Sequence, residues 1–291
     1  MNKPFVRYPK VSRFVSQIEN AKDTFLYDYD ENYGFWPDLE YFLENSGRLV
    51  NPVSILKRLS VPAPMSMEAG QAWNRWQIFR ASQMEVTAIF LIETAFKGKV
   101  LEIIPEDKVP TPDLRVKLGK WELLIEVKSQ SGQKHGDKHP RSKGWIMFDP
   151  QEENDLKSWL FVERISSRSG RPMKPKVVEA EEKGAQILFA QTDFFSSMGD
   201  ITQQASFICP GCGLVDTAII QPLAGKHVKA NFFEGTFPVS VQLDKLKEIW
   251  LFDESHRERF VVFSRSMYLL EHLKYGDNLR LHKDRSQTRG L

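Results

Sequence analysis

The chain has 291 residues, 41% of them hydrophobic and 27% charged, and a formal net charge of +2. That balance describes a globular protein with a substantial core and excludes a global basic excess, so affinity for nucleic acid has to come from local clustering. Two cysteines, Cys209 and Cys212, are too few for a disulfide framework, and no run approaches the roughly 18 apolar residues that cross a bilayer; a cytoplasmic protein without a membrane partner is expected.

Residues 1–70 read as an N-terminal accessory region. A basic opening (Lys3, Arg7, Lys10, Arg13) precedes an acidic, aromatic segment, DTFLYDYDENYGFWPDLEYFLENSG. Its Tyr33, Phe35, Trp36 and Tyr41 are expected to pack that segment or to form a subunit contact. SVPAPMSMEAG at 60–70 is a connector, because Pro62 and Pro64 fit neither a helix interior nor a central strand.

A long helix is predicted from about Gln71 to Lys97, closed by Gly98. Ile78, Ala81, Glu85, Ile89, Ile92 and Phe96 fall on one stripe of it. Trp73, Trp76 and Phe79 share helical spacing and read as core. Glu85 interrupts the stripe, where an unpaired carboxylate is costly. It is either a boundary glutamate that reaches solvent or a lysine, or an acidic ligand. Glu93 is its rival, off the centre of the stripe.

KVLEII at 99–104 is a predicted strand, and PDLRVKLGKWELLIEVKS at 112–129 a predicted hairpin. Gly119-Lys120 occupies the place of a two-residue turn, and glycine first suits type II′. Counting outward from that turn pairs Leu118 with Trp121, Lys117 with Glu122, Val116 with Leu123, Arg115 with Leu124 and Leu114 with Ile125. Asp113 then faces Glu126, and Lys128 lies diagonal to Asp113 on the same face. One face is apolar throughout (Leu114, Val116, Leu118, Trp121, Leu123, Ile125, Val127), which packing explains.

Packing does not explain two carboxylates set opposite each other, with Cβ atoms expected roughly 4.5–5.5 Å apart, because like charges so placed repel. A shared divalent cation resolves the repulsion. Mg²⁺ accepts one or two carboxylates and completes its shell with waters and substrate phosphate. It also lowers the pKa of a bound water and neutralises charge on phosphate. The plainer alternative is the solvated face of an amphipathic hairpin.

The polar loop QSGQKHGDKHPRSKG follows, with Lys134, His135, Lys138, His139, Arg141 and Lys143 set against Asp137 alone. It leaves the strand that carries Lys128, so contact with DNA phosphates or plain solvation are its two readings. After WIMF, KSWLFVERI is a predicted strand and SSRSGRPMKP a loop. That loop carries a lesser basic group: Arg168, Arg171, Lys174 and Lys176. PKVVEAEEKG is a short helix and AQILFAQ a strand.

Residues 206–291 read as a C-terminal accessory region, with LDKLKEIWLF and SRSMYLLEHL helical and a polar tail. Cys209-Pro-Gly-Cys212 has the shape of half a zinc site. Tetrahedral zinc needs a second pair of ligands, from His227, His256 or a partner subunit; ordinary thiols are the alternative.

Helix with Glu85, strand, Pro112-Asp113, tight hairpin and Glu126-Val127-Lys128, in that order, resemble the PD-(D/E)xK nuclease superfamily, the restriction-endonuclease-like fold. The resemblance covers about residues 71–195, including the helix and strand at 175–191, within a nuclease core expected over residues 71–205. It implies an α/β core with a central mixed sheet flanked by helices, with N- and C-terminal additions. It further implies that Asp113, Glu126 and Glu85 form a Mg²⁺ or Mn²⁺ site, and that Lys128 assists the attacking water.

The implied activity is DNA endonuclease, restriction-type or the cleaving subunit of a defence or transposition system, with a homodimer or partner proteins fitting. A non-catalytic nucleic-acid- or protein-binding module and an RNA-cleaving enzyme are the alternatives. Pro37-Asp38 is no rival to Pro112-Asp113, since no Glu-x-Lys strand follows it; Asp38 reads as a helix N-terminal residue. No G-x-x-x-x-G-K-[ST] signature accompanies the motif, so ATP hydrolysis by this chain is not expected to drive it.

Overall fold

The computed structural model describes residues 4–28, 35–62, 69–94, 96–105, 109–129, 159–160, 164–165, 172–192, 217–222, 228–230, 245–253 and 259–264. The helices are α1 (Pro9–Gln17), α2 (Phe25–Asp28), α3 (Phe35–Asn45), α4 (Pro52–Leu59), α5 (Ala69–Thr94) and α6 (Lys176–Glu182). The strands are β1 (Lys99–Ile103), β2 (Leu114–Leu118), β3 (Trp121–Ser129), β4 (Arg164–Ile165), β5 (Pro172–Met173) and β6 (Ile187–Thr192), then β7 (Thr217–Pro222), β8 (Val228–Ala230), β9 (Glu248–Asp253) and β10 (Arg259–Ser264). Among the described residues no helix is long and apolar enough to cross a membrane.

One mixed sheet organises the chain, in the order β1-β2-β3-β6-β9-β10-β7-β8. The β1-β2-β3 limb is antiparallel, β3-β6-β9 is parallel, and the remainder is antiparallel again. A parallel β3–β6 pair needs a crossover, and α6 lies within it.

Side chains of β2, β3, β6 and β9 alternate between two faces. Leu114, Val116, Leu118, Leu123, Ile125, Val127, Ile187, Phe189, Trp250 and Phe252 join one core with α5 and the N-terminal helices. Leu188, Ala190 and Ile249 are buried on the opposite face, which Val177, Val178 and Ala180 of α6 help to cover. The chain is thus mixed α/β with helices against the sheet, as its patterning suggests.

Several expectations change. The α5 helix starts at Ala69 and stops at Thr94. Gly98 does not close it in the left-handed conformation; Lys97 does, at φ +54°. The Gly98 N–H then reaches back to the Ile92 carbonyl at 2.8 Å, as in a Schellman cap. Glycine is needed at 98 for room, since a Cβ there would stand 2.3 Å from Leu118 Cδ2 and 2.9 Å from Ile92 Cγ2. Nor is one stripe of α5 buried: every residue from Ser82 to Ile92 is, because α3, α4 and the sheet enclose that stretch from several sides.

KSWLFVERI divides, with Trp159 and Leu160 helical and Arg164–Ile165 forming β4. LDKLKEIWLF is no helix; its second half is β9. A short apolar run fits a buried helix or a buried strand equally well until its neighbours are known. Here β6 and β10 flank it. The expected boundary at 205/206 therefore falls between strands of one sheet, and α3 and α4 from the N-terminal region pack on α5. SRSMYLLEHL beyond Ser264, WIMF and the tail lie outside the described residues.

Candidate metal centre at the end of the β2–β3 hairpin

The turn behaves as its residues demand. Gly119 sits at φ +57° and Lys120 outside the left-handed region, which selects type II′ over type I′. The register is Leu118↔Trp121, Lys117↔Glu122, Val116↔Leu123, Arg115↔Leu124 and Leu114↔Ile125, identical to the count from the turn.

At Asp113 the ladder ends. Its N–H donates to the Ile125 carbonyl (3.0 Å), its own carbonyl accepts from Ile104 N–H (2.8 Å), and its Oδ2 accepts from Val127 N–H (2.7 Å). The carboxylate thus takes the place a backbone acceptor would fill opposite Val127. Asp113 is not a plain cross-strand partner of Glu126; it caps the adjacent strand and is pinned by three hydrogen bonds.

The polar face of the hairpin is graded. Arg115, Lys117 and Glu122 near the turn are exposed, as a solvated face would be. At the far end Glu126 is 0% exposed and only 24% of the Lys128 side chain is accessible. The parallel β6 strand beside β3 and the α6 crossover create that burial. Two ammonium groups converge on Glu126 Oε1: Lys128 Nζ and Lys183 Nζ, each at 2.6 Å. Glu126 Oε2 is buried and has no hydrogen-bond partner among the described residues. Lys128 also lies 3.5 Å from Glu179, whose other oxygen holds Lys176 at 2.6 Å.

The electrostatics follow. Burial pushes the Asp113 carboxyl well above its ordinary range, and the Glu126 and Glu85 charges push it further; Lys183 and the Val127 N–H oppose them and do not prevail. For Lys128, burial works to lower the pKa, but the Glu126 carboxylate, with Asp113 and Glu179, lifts it above the usual lysine value. Lys128 therefore stays an ammonium at neutral pH. It can orient a water or stabilise negative charge, but it cannot take up a proton.

Glu85 on α5 is 4% exposed and near enough to act on Asp113, while its Oε2 accepts from Arg58 Nη2 of α4 at 2.6 Å. Glu93, the rival, is occupied elsewhere. It accepts from Tyr41 Oη (2.8 Å) and Val100 N–H (3.0 Å) and pairs with Arg48, which ties α3 and β1 to α5. Burial, then the Glu93 hydrogen bond and charge, raise the Tyr41 pKa to about 12, against a lowering by Arg48. Asp38 lies in the first turn of α3, buried, and accepts from Thr87 Oγ1 at 2.8 Å. Phe35, Trp36 and Phe79 are core residues.

Two carboxylates with an unsatisfied buried oxygen fit a hard cation, for which oxygen ligands and retained waters are the rule. Glu126 Oε2 is the observation that supports the fit; Asp113 supplies the second acid. As the side chains stand, no group of three or more His, Cys, Asp or Glu among the described residues is arranged to hold a metal ion. With Glu85 turned to Arg58, Asp113 and Glu126 are the pair that remains.

The structure adds residues that periodicity did not single out for this site: Glu179 and Lys176 from α6, Lys183 at its C-terminal cap, and Arg58 from α4. The three from 176–183 carried one sequence signal, position at a helix just before the AQILFAQ strand, which carries no information about which face that helix covers. Of the lesser basic group, Lys174 pairs with Glu182 at 2.7 Å and Lys176 with Glu179, so neither is a bare phosphate ligand. Arg168, Arg171, the loop bearing Lys134, His135, Lys138, His139, Arg141 and Lys143, and Cys209, Cys212, His227 and His256 lie outside the described residues.

Comparison with known proteins returns no matching family model, no matching curated protein and no matching solved structure.

Proposed function

We propose that this chain is a divalent-metal-dependent DNA endonuclease on a restriction-endonuclease-like core, with Asp113 and Glu126 as metal ligands and Lys128 as the charged residue beside the attacking water. The reading rests above all on the buried Glu126 Oε2, which has no donor among the described residues although Asp113 crowds the same strand end. Burying a carboxylate oxygen without a partner is costly, and a cation removes the cost.

When bound, Mg²⁺ or Mn²⁺ would supply Lewis acidity and a water of lowered pKa. The chain's own residues do the rest. Asp113, locked by Val127 N–H and by two backbone bonds, holds its second oxygen in a fixed direction. Lys128, held as an ammonium, orients water or steadies charge on a phosphate oxygen. Glu85, paired with Arg58, keeps negative potential on Asp113. The loop at 130–144 is the candidate surface for phosphate contacts, and a homodimer suits the cutting of both strands of a duplex.

One observation favours a different reading. Lys128 and Lys183 already balance Glu126, as an internal ion-pair network in a non-catalytic binding module would. Cleavage assays separate the two. Supercoiled DNA, linear duplex, single-stranded DNA and RNA are incubated with the protein, with Mg²⁺ and with chelator. Mg²⁺-dependent DNA cleavage is expected, falling at least about a hundredfold in Asp113→Asn, Glu126→Gln and Lys128→Met, with folds verified by circular dichroism. Cleavage of RNA alone would make it a ribonuclease. No cleavage of any of the four substrates would leave the binding module.

A further inference from the structure

We propose that Lys183 is the resident counter-ion of the Asp113–Glu126 site: its ammonium neutralises the Glu126 carboxylate through Oε1, and a divalent cation that binds this carboxylate displaces it. The inference rests on the metal-site reading above and adds a residue and a competition to it.

The geometry carries it. Lys183 Nζ and Lys128 Nζ bond the same atom, Glu126 Oε1, at 2.6 Å each, while Oε2 is bonded by neither and is buried. One carboxylate oxygen with two ammonium groups beside one oxygen with none is an uneven use of a fully buried side chain. It fits a site whose balance is completed by another ligand. The two lysines are not equivalent. Lys128 is on β3, two residues from Glu126, and is held a second time by Glu179. Lys183 follows the last turn of α6 and its N–H bonds Glu179 carbonyl, so its backbone is anchored while its side chain reaches across to β3 from 57 residues away. Its side chain is 23% accessible and can swing toward solvent along its four-carbon stem.

Displacement by a cation needs no change in the sheet. A competing ammonium weakens apparent metal affinity, since the ion pair has to be broken first. Together with Lys128 it also compensates the buried Glu126 carboxylate when no cation is bound.

Isothermal titration with Mn²⁺ tests this on the full chain, without substrate. Wild type, Asp113→Asn, Lys183→Met, Lys183→Gln and Lys183→Arg are compared. The expected result is that wild type binds, Asp113→Asn does not, the two neutral variants bind about tenfold tighter than wild type, and Lys183→Arg stays near wild type. Unchanged or weaker binding by the neutral variants, with wild type and Asp113→Asn behaving as expected, overturns the counter-ion role and leaves the metal site standing. No binding by wild type overturns both. Should both neutral variants be unfolded without cation, refolding on addition of Mn²⁺ in the circular dichroism supports the role, and failure to refold overturns it. A lysine that merely braces α6 against β3 would lower stability and leave the dissociation constant unmoved.

Discussion

Asp113 shows how one residue can be fixed by backbone geometry and still be electrostatically poor where it sits. Three hydrogen bonds hold it, yet burial and two neighbouring carboxylates raise its pKa. The folded state then binds the Asp113 proton more tightly than the unfolded chain does. Its contribution to stability is present below the ordinary aspartate range, near about 4, and is lost as pH rises through the raised value. In chelator, wild type should therefore lose stability over that window by up to about 1.4 kcal/mol per pH unit relative to Asp113→Asn. Urea titrations of both proteins across the window check it, and parallel pH profiles would refute it. Added Mg²⁺ should remove the difference in slope, because the cation takes the place of the proton.

Among the elements, the hairpin was the most legible part of the chain. Period-2 alternation needs only neighbouring residues, and a glycine at φ +57° pins the turn, so the register could be counted. The end of α5 was less legible. Glycine is the usual left-handed cap, but Lys97 takes that conformation and Gly98 is required by the Leu118 and Ile92 side chains. Gly98→Ala should thus destabilise by about 1–3 kcal/mol through overpacking, since Leu118 is fully buried and has little room to yield. Denaturant unfolding measures it; a change below about 0.5 kcal/mol would mean that Leu118 re-orients freely. Glu85 was noticed because it broke an apolar stripe, although the stretch around it is buried on all sides and Arg58 supplies its partner.

For the molecule as a whole, strands far apart in the chain share one core. Trp250 of β9 stacks on Phe96 at 4.5 Å between ring centroids and meets Phe189 of β6 edge-on. Glu181 of α6 accepts the N–H groups of Lys245 and Leu246 at 2.7–3.0 Å and so fixes the entry to β9. A fragment of residues 71–205 would strip β9 from β6 and the N-terminal helices from α5. It should show no cooperative thermal transition by circular dichroism and should bind a hydrophobic dye, whereas the full chain unfolds cooperatively. A cooperatively folding fragment would support the three-part division expected from the proline connector and the resemblance.

What the amino-acid order determined by itself was local: the alternation, the turn, the register, and hence the approach of Asp113 and Glu126 at one strand end. These depend on backbone geometry over a few residues. Tertiary structure alone decided which face of the hairpin is buried where, which cations meet Glu126, and that EIWLF is a central strand. Each of those is set by contacts across tens of residues. Lys183 reaches Glu126 because β6 returns parallel to β3, and no period in the sequence specifies that return. The same burial that separates Glu126 from water makes an oxygen without a partner among the described residues costly, and so turns a charged hairpin face into a candidate cation site.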